Sequence, residues 1–526
     1  MICYLLVVLA CLPGTTHTFS IKTKSSPQRL VLPLSPSSTP IRGFTSNTID
    51  ARASSKTVTR CVGVTTTDTT TDIVKIDPVN SNAFIPPIKQ QGYAILVLLF
   101  LVTALCALDR VAMSVAILPM GAEFQYTDST KGLISSVFSL GYMVGLIPSG
   151  LLGTFSSPKN TLSWGVLLWS LAQMATPFAA YNSIPILLGS RFCMGVAEAV
   201  AIPTVQTFIA RWVPDAQRSL VLGLVLSGLQ VGNVAAYVAS PVVLDNFDWN
   251  GLFLIYGATG FFWLLLWVPI AKDNPISGEE CVAEGCSTEQ MEESRMMQSV
   301  AIGTDSIQAM FSGMKEKMDS VPWGEICASK EIRAIAVAHA VQNFGLYINL
   351  AWLPNYFHTK FDLSVGDSAL SAVLPWIGGA VVGSASGYIA DKLLQQGVDK
   401  TLIRKGAQTF ANVVPGIALI GLSLANDLTS DQAVAFFVAA CASAAACVAG
   451  FGSSVQDVCR NPKLASTLYS ITSVPAVLFG SMGVYLTGVV LDATDQSWEL
   501  VFRGTAAVYF LGAAYYASQY EAKKLF

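Results

Sequence analysis

From Tyr93 to Tyr520 the chain alternates long apolar runs with short polar loops, and twelve such runs can be counted. Runs of about 20 apolar residues match the helix length that crosses a hydrocarbon layer roughly 30 Å thick. Helices cross it without leaving backbone groups unpaired. The pattern predicts an all-α membrane protein with spans over 93–120, 130–152, 161–181, 184–210, 218–242, 250–270, 332–357, 367–390, 403–425, 431–452, 463–490 and 499–520. Segment 271–331 is polar, with Glu279, Glu280, Glu284, Glu289, Glu292 and Glu293, and separates six spans from six. It reads as a solvated linker, or as one carrying an amphipathic turn near Met310 to Met318. The expected organisation is an N-terminal half over 91–270, the central loop over 271–331 and a C-terminal half over 332–526.

The first ninety residues differ in kind. Tyr4 to Leu12 form an apolar core too short to span, ending at Pro13-Gly14, and Thr16-His17-Thr18 puts small residues where a signal peptidase would act before Phe19. Residues 1–18 therefore read as a signal peptide, although no charge other than the α-amino group precedes the core. From Phe19 to Arg60 there are seven Lys or Arg against one acid, Asp50, amid Ser, Thr and Pro. This is transit-peptide composition. Thr65 to Asp77 continues as polar linker, so 19–90 reads as transit-peptide-like and disordered. A signal core, a Phe after the cut and a basic Ser/Thr-rich stretch resemble the bipartite presequence of algae with complex plastids. An ordinary secretory signal before a disordered tail is the other reading.

Charge then orients the spans. Loops after even-numbered spans hold fifteen Lys or Arg, counting those at span edges, whereas loops after odd-numbered spans hold only Lys131 and Lys360. By the positive-inside rule both ends of the mature chain and the central loop face the cytosol-equivalent side, which in a plastid is the stroma. The chain is 52% apolar and 12% charged, about half the charged share of a soluble domain. A net charge of −3 suggests no nucleic-acid or polyanion partner. His17, His339 and His358 are too dispersed for a metal cluster. Cys281 and Cys286 lack nearby histidines, which makes a weak zinc or disulfide signal. No phosphate-cradling loop or nucleophile elbow is present, so nothing marks an enzyme.

The chemistry must lie in the few polar side chains carried into the membrane. Arg110 stands well inside span 1, where a guanidinium costs several kcal/mol unless it meets water or a counter-ion. Its planar fork of donors suits phosphate or carboxylate. The alternative is an arginine locked to an acid on another span. Asp109 is adjacent but about 100° around the helix, so the two need not pair. In span 4, Arg191 and Glu198 are two turns apart on nearly one face, with Gly195 between them allowing close helix approach. A carboxylate away from water can hold a proton and release it as a cavity opens to either side, which makes Glu198, with Arg191, a candidate for cation coupling. The alternative is a permanent ion pair that only holds helices together. His339, Asn343 and Tyr347 recur every four residues along span 7 beside Gln342, a polar stripe that lines a cavity or bonds neighbouring helices. Asp457 and Arg460, just past span 10, are placed at a gate. Two halves are echoed in Ser149-Gly150-Leu151 against Ser386-Gly387-Tyr388, and in Trp212-Val213-Pro214…Arg218-Ser219 against Asn461-Pro462…Ser466.

Twelve spans divided six and six is the layout of the major facilitator superfamily. The run Asp109-Arg110-Val111…Met113-Ser114-Val115-Ala116-Ile117 resembles the anion:cation symporters of that superfamily. So do Arg191…Gly195…Glu198, Arg211-Trp212-Val213-Pro214…Arg218-Ser219 and Trp352-Leu353-Pro354…Tyr356-Phe357. Ile117-Leu118-Pro119-Met120 and Ser386-Gly387-Tyr388-Ile389-Ala390-Asp391 look most like the plant plastid phosphate transporters, over about residues 93 to 520. The resemblance implies a facilitator fold with two halves rocking about a midplane site. It implies substrate contact by Arg110, a transport-essential role for Arg191 and Glu198, and gating by Arg218, Asp391, Lys392 and Asp457. Where the family carries an arginine or histidine in span 7, this chain has Gln342, with His339 one turn earlier. A single guanidinium suits inorganic phosphate or a monoanion such as ascorbate better than a dicarboxylate. The Asp-Arg pair expected after span 2 is replaced by Thr154 and Phe155, whereas its second copy, Asp391-Lys392, is intact. After span 10 the family's Asn-x-x-Asp reads Ser454-Val455-Gln456-Asp457.

The expected activity is symport of phosphate or a related small anion across a plastid envelope membrane, with H+ or Na+ as coupling ion and no cofactor or metal. The expected partners are the anion and the lipid bilayer, with no nucleic acid, and the chain is expected to act as a monomer. The rivals are an organic-anion carrier (ascorbate, glutamate or similar) of a vesicular or plasma membrane, and a non-transporting sensor signalling through 271–331.

Overall fold

A computed structural model describes residues 90–525 apart from 156, 214–217, 274–322, 426 and 460–464, and leaves out the side chains of some helical residues, Thr154, Phe155 and Arg218 among them. The leader, the acidic stretch of the central loop and Arg460 lie outside the described residues.

Helices follow the apolar runs. Spans 1 to 3 are α1 (Gln90–Phe124), α2 (Asp128–Phe155) and α3 (Pro158–Asn182). Span 4 is α4 (Ile184–Glu198) and, after a two-residue turn, α5 (Ala201–Trp212). Spans 5 and 6 lie in α6 (Arg218–Leu226) and α7 (Gly228–Ile270), the latter broken at Asp248 by left-handed backbone, φ 55°. A short α8 (Trp323–Ala328) falls within the segment expected as loop, and its Ile326 is buried in the same cluster as Ile332. Span 7 is α9 (Lys330–Phe361), and span 8 is α10 (Val365–Ser371) with α11 (Val373–Gln395). Span 9 is α12 (Lys400–Leu424). Span 10 is α13 (Ser430–Ala444), a 3-10 turn over Ala445–Val448, and α14 (Phe451–Val458). Spans 11 and 12 are α15 (Ala465–Ala493) and α16 (Trp498–Gln519). The described residues thus form twelve helical spans in two sets of six.

Local chemistry sets these boundaries. Ser157, Ser329 and Asp399 each accept a hydrogen bond from the backbone N–H three residues on, and Thr429 with Gln432 makes a reciprocal capping box. Within the spans, several hydroxyls are satisfied by their own helix: Thr176 donates to Ala172 O, Ser481 to Val477 O, Thr487 to Gly483 O and Thr505 to Val501 O. Large apolar side chains such as Phe178, Phe262, Leu265 and Leu511 are exposed on the outer surface, as expected of a belt that faces lipid. Seven helical stretches are long and apolar enough to cross a membrane, the longest, Val221–Ile270, holding two spans. In α9 the apolar run is diluted by His339, Gln342 and Asn343.

The arrangement of the core defines a cleft. One large cluster joins both halves: Val111 to Met120 of α1, Tyr237 and Trp249 to Tyr256 of α7, Ile348 to Phe357 of α9, Val484 and Leu491 of α15. All of these lie toward the ends of the spans that meet the odd-numbered loops. Toward the even-loop ends the core divides. Ile95, Trp212, Trp263 and Trp267 pack within the first half, and Ile332, Val458, Tyr516 and Tyr520 within the second. The halves therefore share a sealed floor on the odd-loop side and part toward the even-loop side.

Polar contacts reinforce that floor. Asp492, at the end of α15, accepts from the backbone N–H of Asp128 (2.9 Å) and Ser129 (2.8 Å) at the start of α2, and from the Ser129 hydroxyl. Gln496 donates to Asp128, which also pairs with Lys131 at 2.9 Å. A carboxylate of one half thus caps the helix of the other. Tyr237 Oη donates to Leu350 O at 3.2 Å, a further bond between the halves. Gly488 lies so close to the Asp128 carbonyl that an added Cβ would stand 2.2 Å from it.

Candidate functional site

Above the sealed floor, at the base of the cleft, lies a cavity of about 50 Å³ lined by Arg110, Ser114, Phe138, Ser139, Arg191 and Tyr347 among others, with Leu350, Ala351 and Val484 from the second half. Space of that size holds a few waters or a small anion.

Arg110 reaches the cavity from α1. Its Nε and Nη2 donate to the same oxygen of Glu198, Oε1, at 2.9 and 2.7 Å. The Glu198 carboxylate is fully buried at the end of α4, and its second oxygen has no hydrogen-bond partner among the described residues. The guanidinium carbon of Arg110 also lies 4.8 Å from the Tyr142 ring centre and 5.4 Å from that of Phe138. Arg110 is thus paired with an acid on another span while it also lines the cavity.

Arg191, two turns before Glu198, is 1% exposed. Its Nη1 donates to Gln173 Oε1 at 3.3 Å and to Met194 Sδ at 3.1 Å, and its carbon lies 5.3 Å from the Phe138 ring centre. Asp109, on the neighbouring face of α1, is buried and is an electrostatic neighbour of Arg191, Glu198 and Arg110. As its angular offset suggested, it makes no hydrogen bond to Arg110. Two acids and two bases thus form one buried cluster of zero formal charge.

Close packing of α2 and α4 assembles this cluster. A Cβ on Gly195 would stand 2.0 Å from the Phe138 carbonyl, one on Gly141 2.1 Å from the Phe192 carbonyl, and one on Gly145 2.6 Å from the Val196 carbonyl. The helices touch backbone to backbone, which Gly195 was expected to permit. Leu at any of these places would lift α4, and Arg191 with it, from Phe138.

The polar stripe of span 7 does not act as a unit. Tyr347 lines the cavity. His339 instead stacks on Phe451 (4.7 Å between ring centres), and its Nδ1 is 3.3 Å from Thr472 Oγ1. Gln342 donates to Ala444 O at 3.0 Å, where α13 gives way to the 3-10 turn. Asn343 is half-buried where α9 packs on Gly480 of α15. Four residues advance a helix by 400°, so the stripe drifts about 40° per step, and His339 sits roughly 12 Å along the axis from Tyr347. His339 and Gln342 thus hold α9 against the broken tenth span and α15 of the second half.

Of the expected gating residues, Asp457 binds Arg404 at 2.7 Å and Lys400 at 3.3 Å, all within the second half. Asp391 and Lys392 are exposed at the end of α11, with the Lys392 ammonium 5.3 Å from the Tyr388 ring centre. Arg218 begins α6, and its side chain is outside the described residues. Sequence reading missed Phe138, Tyr142 and Gln173: uncharged residues in apolar helices carry no signal until the fold brings them against a guanidinium. The expectation of a single guanidinium is also corrected, because Arg191 shares the cavity wall with Arg110.

The fold and site describe a two-half membrane carrier with a charged pocket at its centre. The sequence pattern of the Major Facilitator Superfamily matches residues 99–481, and the chain belongs to that superfamily, a class of transporters and not of enzymes. It is 34% identical over 424 residues to "Probable anion transporter 1, chloroplastic" of Oryza sativa subsp. japonica, covering 80% of this chain and 75% of the relative. It is 32% identical to "Sodium-dependent phosphate transport protein 1, chloroplastic" of Arabidopsis thaliana (80% and 78% covered). To "Ascorbate transporter, chloroplastic" of the same plant it is 33% identical (80% and 73%). The resemblance drawn from the motifs thus agrees with the relatives. Among solved structures, a bacterial homolog of the human lysosomal transporter Spinster, inward-facing and occupied, superimposes with a TM-score of 0.62 at 17% identity, over 82% of this chain and 98% of that one. A D-xylose-proton symporter does so with 0.61 at 12% identity, over 82% and 99%. At such identities the likeness speaks for the fold alone.

Proposed function

We propose that this chain is a secondary active symporter of inorganic phosphate, or a related small anion, across a plastid envelope membrane. The observation that carries the reading is that Arg110, on the wall of the central cavity, pairs with the fully buried Glu198. Both contacts of Arg110 converge on one carboxylate oxygen. An anion entering the cavity competes with Glu198 for that guanidinium. A proton or sodium ion on Glu198 weakens its hold and frees the fork, so anion and cation bind best together, which is the requirement for symport. Arg191 adds a second positive charge to the wall, suited to a doubly charged hydrogen phosphate. With one coupling cation the filled cluster is neutral for a singly charged anion and carries one net negative charge for hydrogen phosphate, and the halves rock about it.

The relatives' names support anion transport in plastids, and the coupling ion is H+ or Na+. Loop charge and leader composition support a stromal position for both termini and the central loop, so the cleft opens to the stroma. The chain is taken to work as a monomer in the bilayer. Ascorbate is the second reading, favoured by the relative of that name. The test is uptake of labelled phosphate by proteoliposomes under an imposed pH or sodium gradient. Phosphate uptake lost in Arg110→Ala supports the reading; ascorbate uptake without phosphate uptake favours the alternative; uptake of both anions unaffected by Arg110→Ala refutes the site.

A further inference from the structure

Phe138 lies at the centre of the charged cluster and has no part in the cycle as described. It is 5% exposed, lines the cavity, and has both guanidinium carbons over its ring, Arg110 at 5.4 Å and Arg191 at 5.3 Å. Leu or Val would fill an apolar position on α2 equally well. An aromatic ring adds a negative π-face, which attracts cations most strongly away from water. Two like charges facing one small cavity repel each other, and a ring that touches both offsets part of that repulsion without adding a competing acceptor. The contact also differs in kind from the Glu198 pair. When Glu198 takes up its cation, Arg110 loses its carboxylate and keeps Phe138 and, at 4.8 Å, Tyr142. Its donors then stay aimed at the cavity while the acid lets go. Close packing of Gly195 against the Phe138 carbonyl fixes where the ring stands.

From this geometry we infer that Phe138 is a positioning residue that sets Arg110 and Arg191 as one anion-binding unit through its ring face. The inference rests on the anion-transport reading, which it deepens. Electron-poor phenylalanines test it: mono-, di- and trifluorinated phenylalanine at position 138 keep the ring's shape while draining its negative face. In proteoliposomes, KM for phosphate should rise stepwise along the series, about ten-fold in all, with kcat changed less. Phe138→Leu should raise KM at least as far. A KM that is flat across the fluorinated series, in vesicles whose parent chain transports, overturns the inference and leaves the transport reading standing.

A second measurement needs no transport. The 19F resonance of fluorinated Phe138 in the purified chain should move on both Arg110→Lys and Arg191→Lys. If it moves with one or neither, the shared contact is refuted. A parent chain that carries neither phosphate nor ascorbate while both substitutions move the signal would defeat the transport reading and leave the ring contact intact.

Discussion

Removing Arg110 tests whether its pairing with Glu198 holds in the resting protein. The two contacts of 2.9 and 2.7 Å end on a carboxylate with no exposed surface, whose other oxygen has no hydrogen-bond partner among the described residues. Breaking a buried pair from one side costs about 3–5 kcal/mol, because a charge is left uncompensated. Arg110 is itself 23% exposed, so the lower end, about 3 kcal/mol, is expected for Arg110→Ala. Glu198→Gln leaves a cation that still touches two rings and the cavity, and should cost about 1–2 kcal/mol. In the double variant neither charge remains to be stranded. Its cost should therefore fall short of the sum by about 2 kcal/mol, within the range for residues in contact. The assay is detergent-driven unfolding of the four purified proteins at one pH, with the coupling read from the cycle. Costs that add to within about 0.5 kcal/mol would mean that the side chains do not hold one another, and the competition at the heart of the cycle would fall.

Three further outcomes are expected. Glu198→Gln should keep phosphate counterflow between equilibrated vesicles while losing stimulation by a gradient; loss of both would assign Glu198 to anion binding or folding. Asp492→Ala removes the carboxylate that caps α2 across the halves, a contact worth about 1 kcal/mol, and should open the odd-loop side about five-fold more often. The readout is labelling of Ser135→Cys, on the cavity wall, by an impermeant maleimide applied to that side, and unchanged labelling would refute the role of the cap. Gly195→Ala should destabilise the chain by about 1–3 kcal/mol and depress uptake, because its Cβ would meet the Phe138 carbonyl at 2.0 Å. Gly189→Ala, on the same helix with open space around it, should melt like the parent; similar melting of both variants would refute the backbone contact.

The architecture and the charged half of the site were legible in the sequence for the same reason. Apolar runs of membrane length announce helices, and a charge inside one is too costly to be idle, so Arg110, Arg191 and Glu198 stood out before any fold was known. What could not be read was which uncharged neighbours complete the pocket. Phe138 and Tyr142 look like core residues in the sequence, and Gln173 like a helix polar contact. Only the glycine-to-backbone approach of α2 and α4 presses Phe138 against two cations. The spacing of His339, Asn343 and Tyr347 left two readings open and both occur: a four-residue repeat drifts around a helix of 3.6 residues per turn, so Tyr347 lines the cavity while His339 and Gln342 meet neighbouring helices. The cap on α2 from Asp492 was also invisible, since it joins residues more than 360 apart in the chain.

The central claim, that anion and cation share the Arg110–Glu198 pair, is tested most directly by gradient-driven uptake of labelled phosphate into proteoliposomes holding the purified chain. Sodium and pH gradients would be imposed separately on the parent, Arg110→Ala and Glu198→Gln. Uptake driven by one gradient in the parent, absent in Arg110→Ala and indifferent to the gradient in Glu198→Gln, is the predicted result. Gradient-stimulated uptake that survives in Glu198→Gln would contradict it.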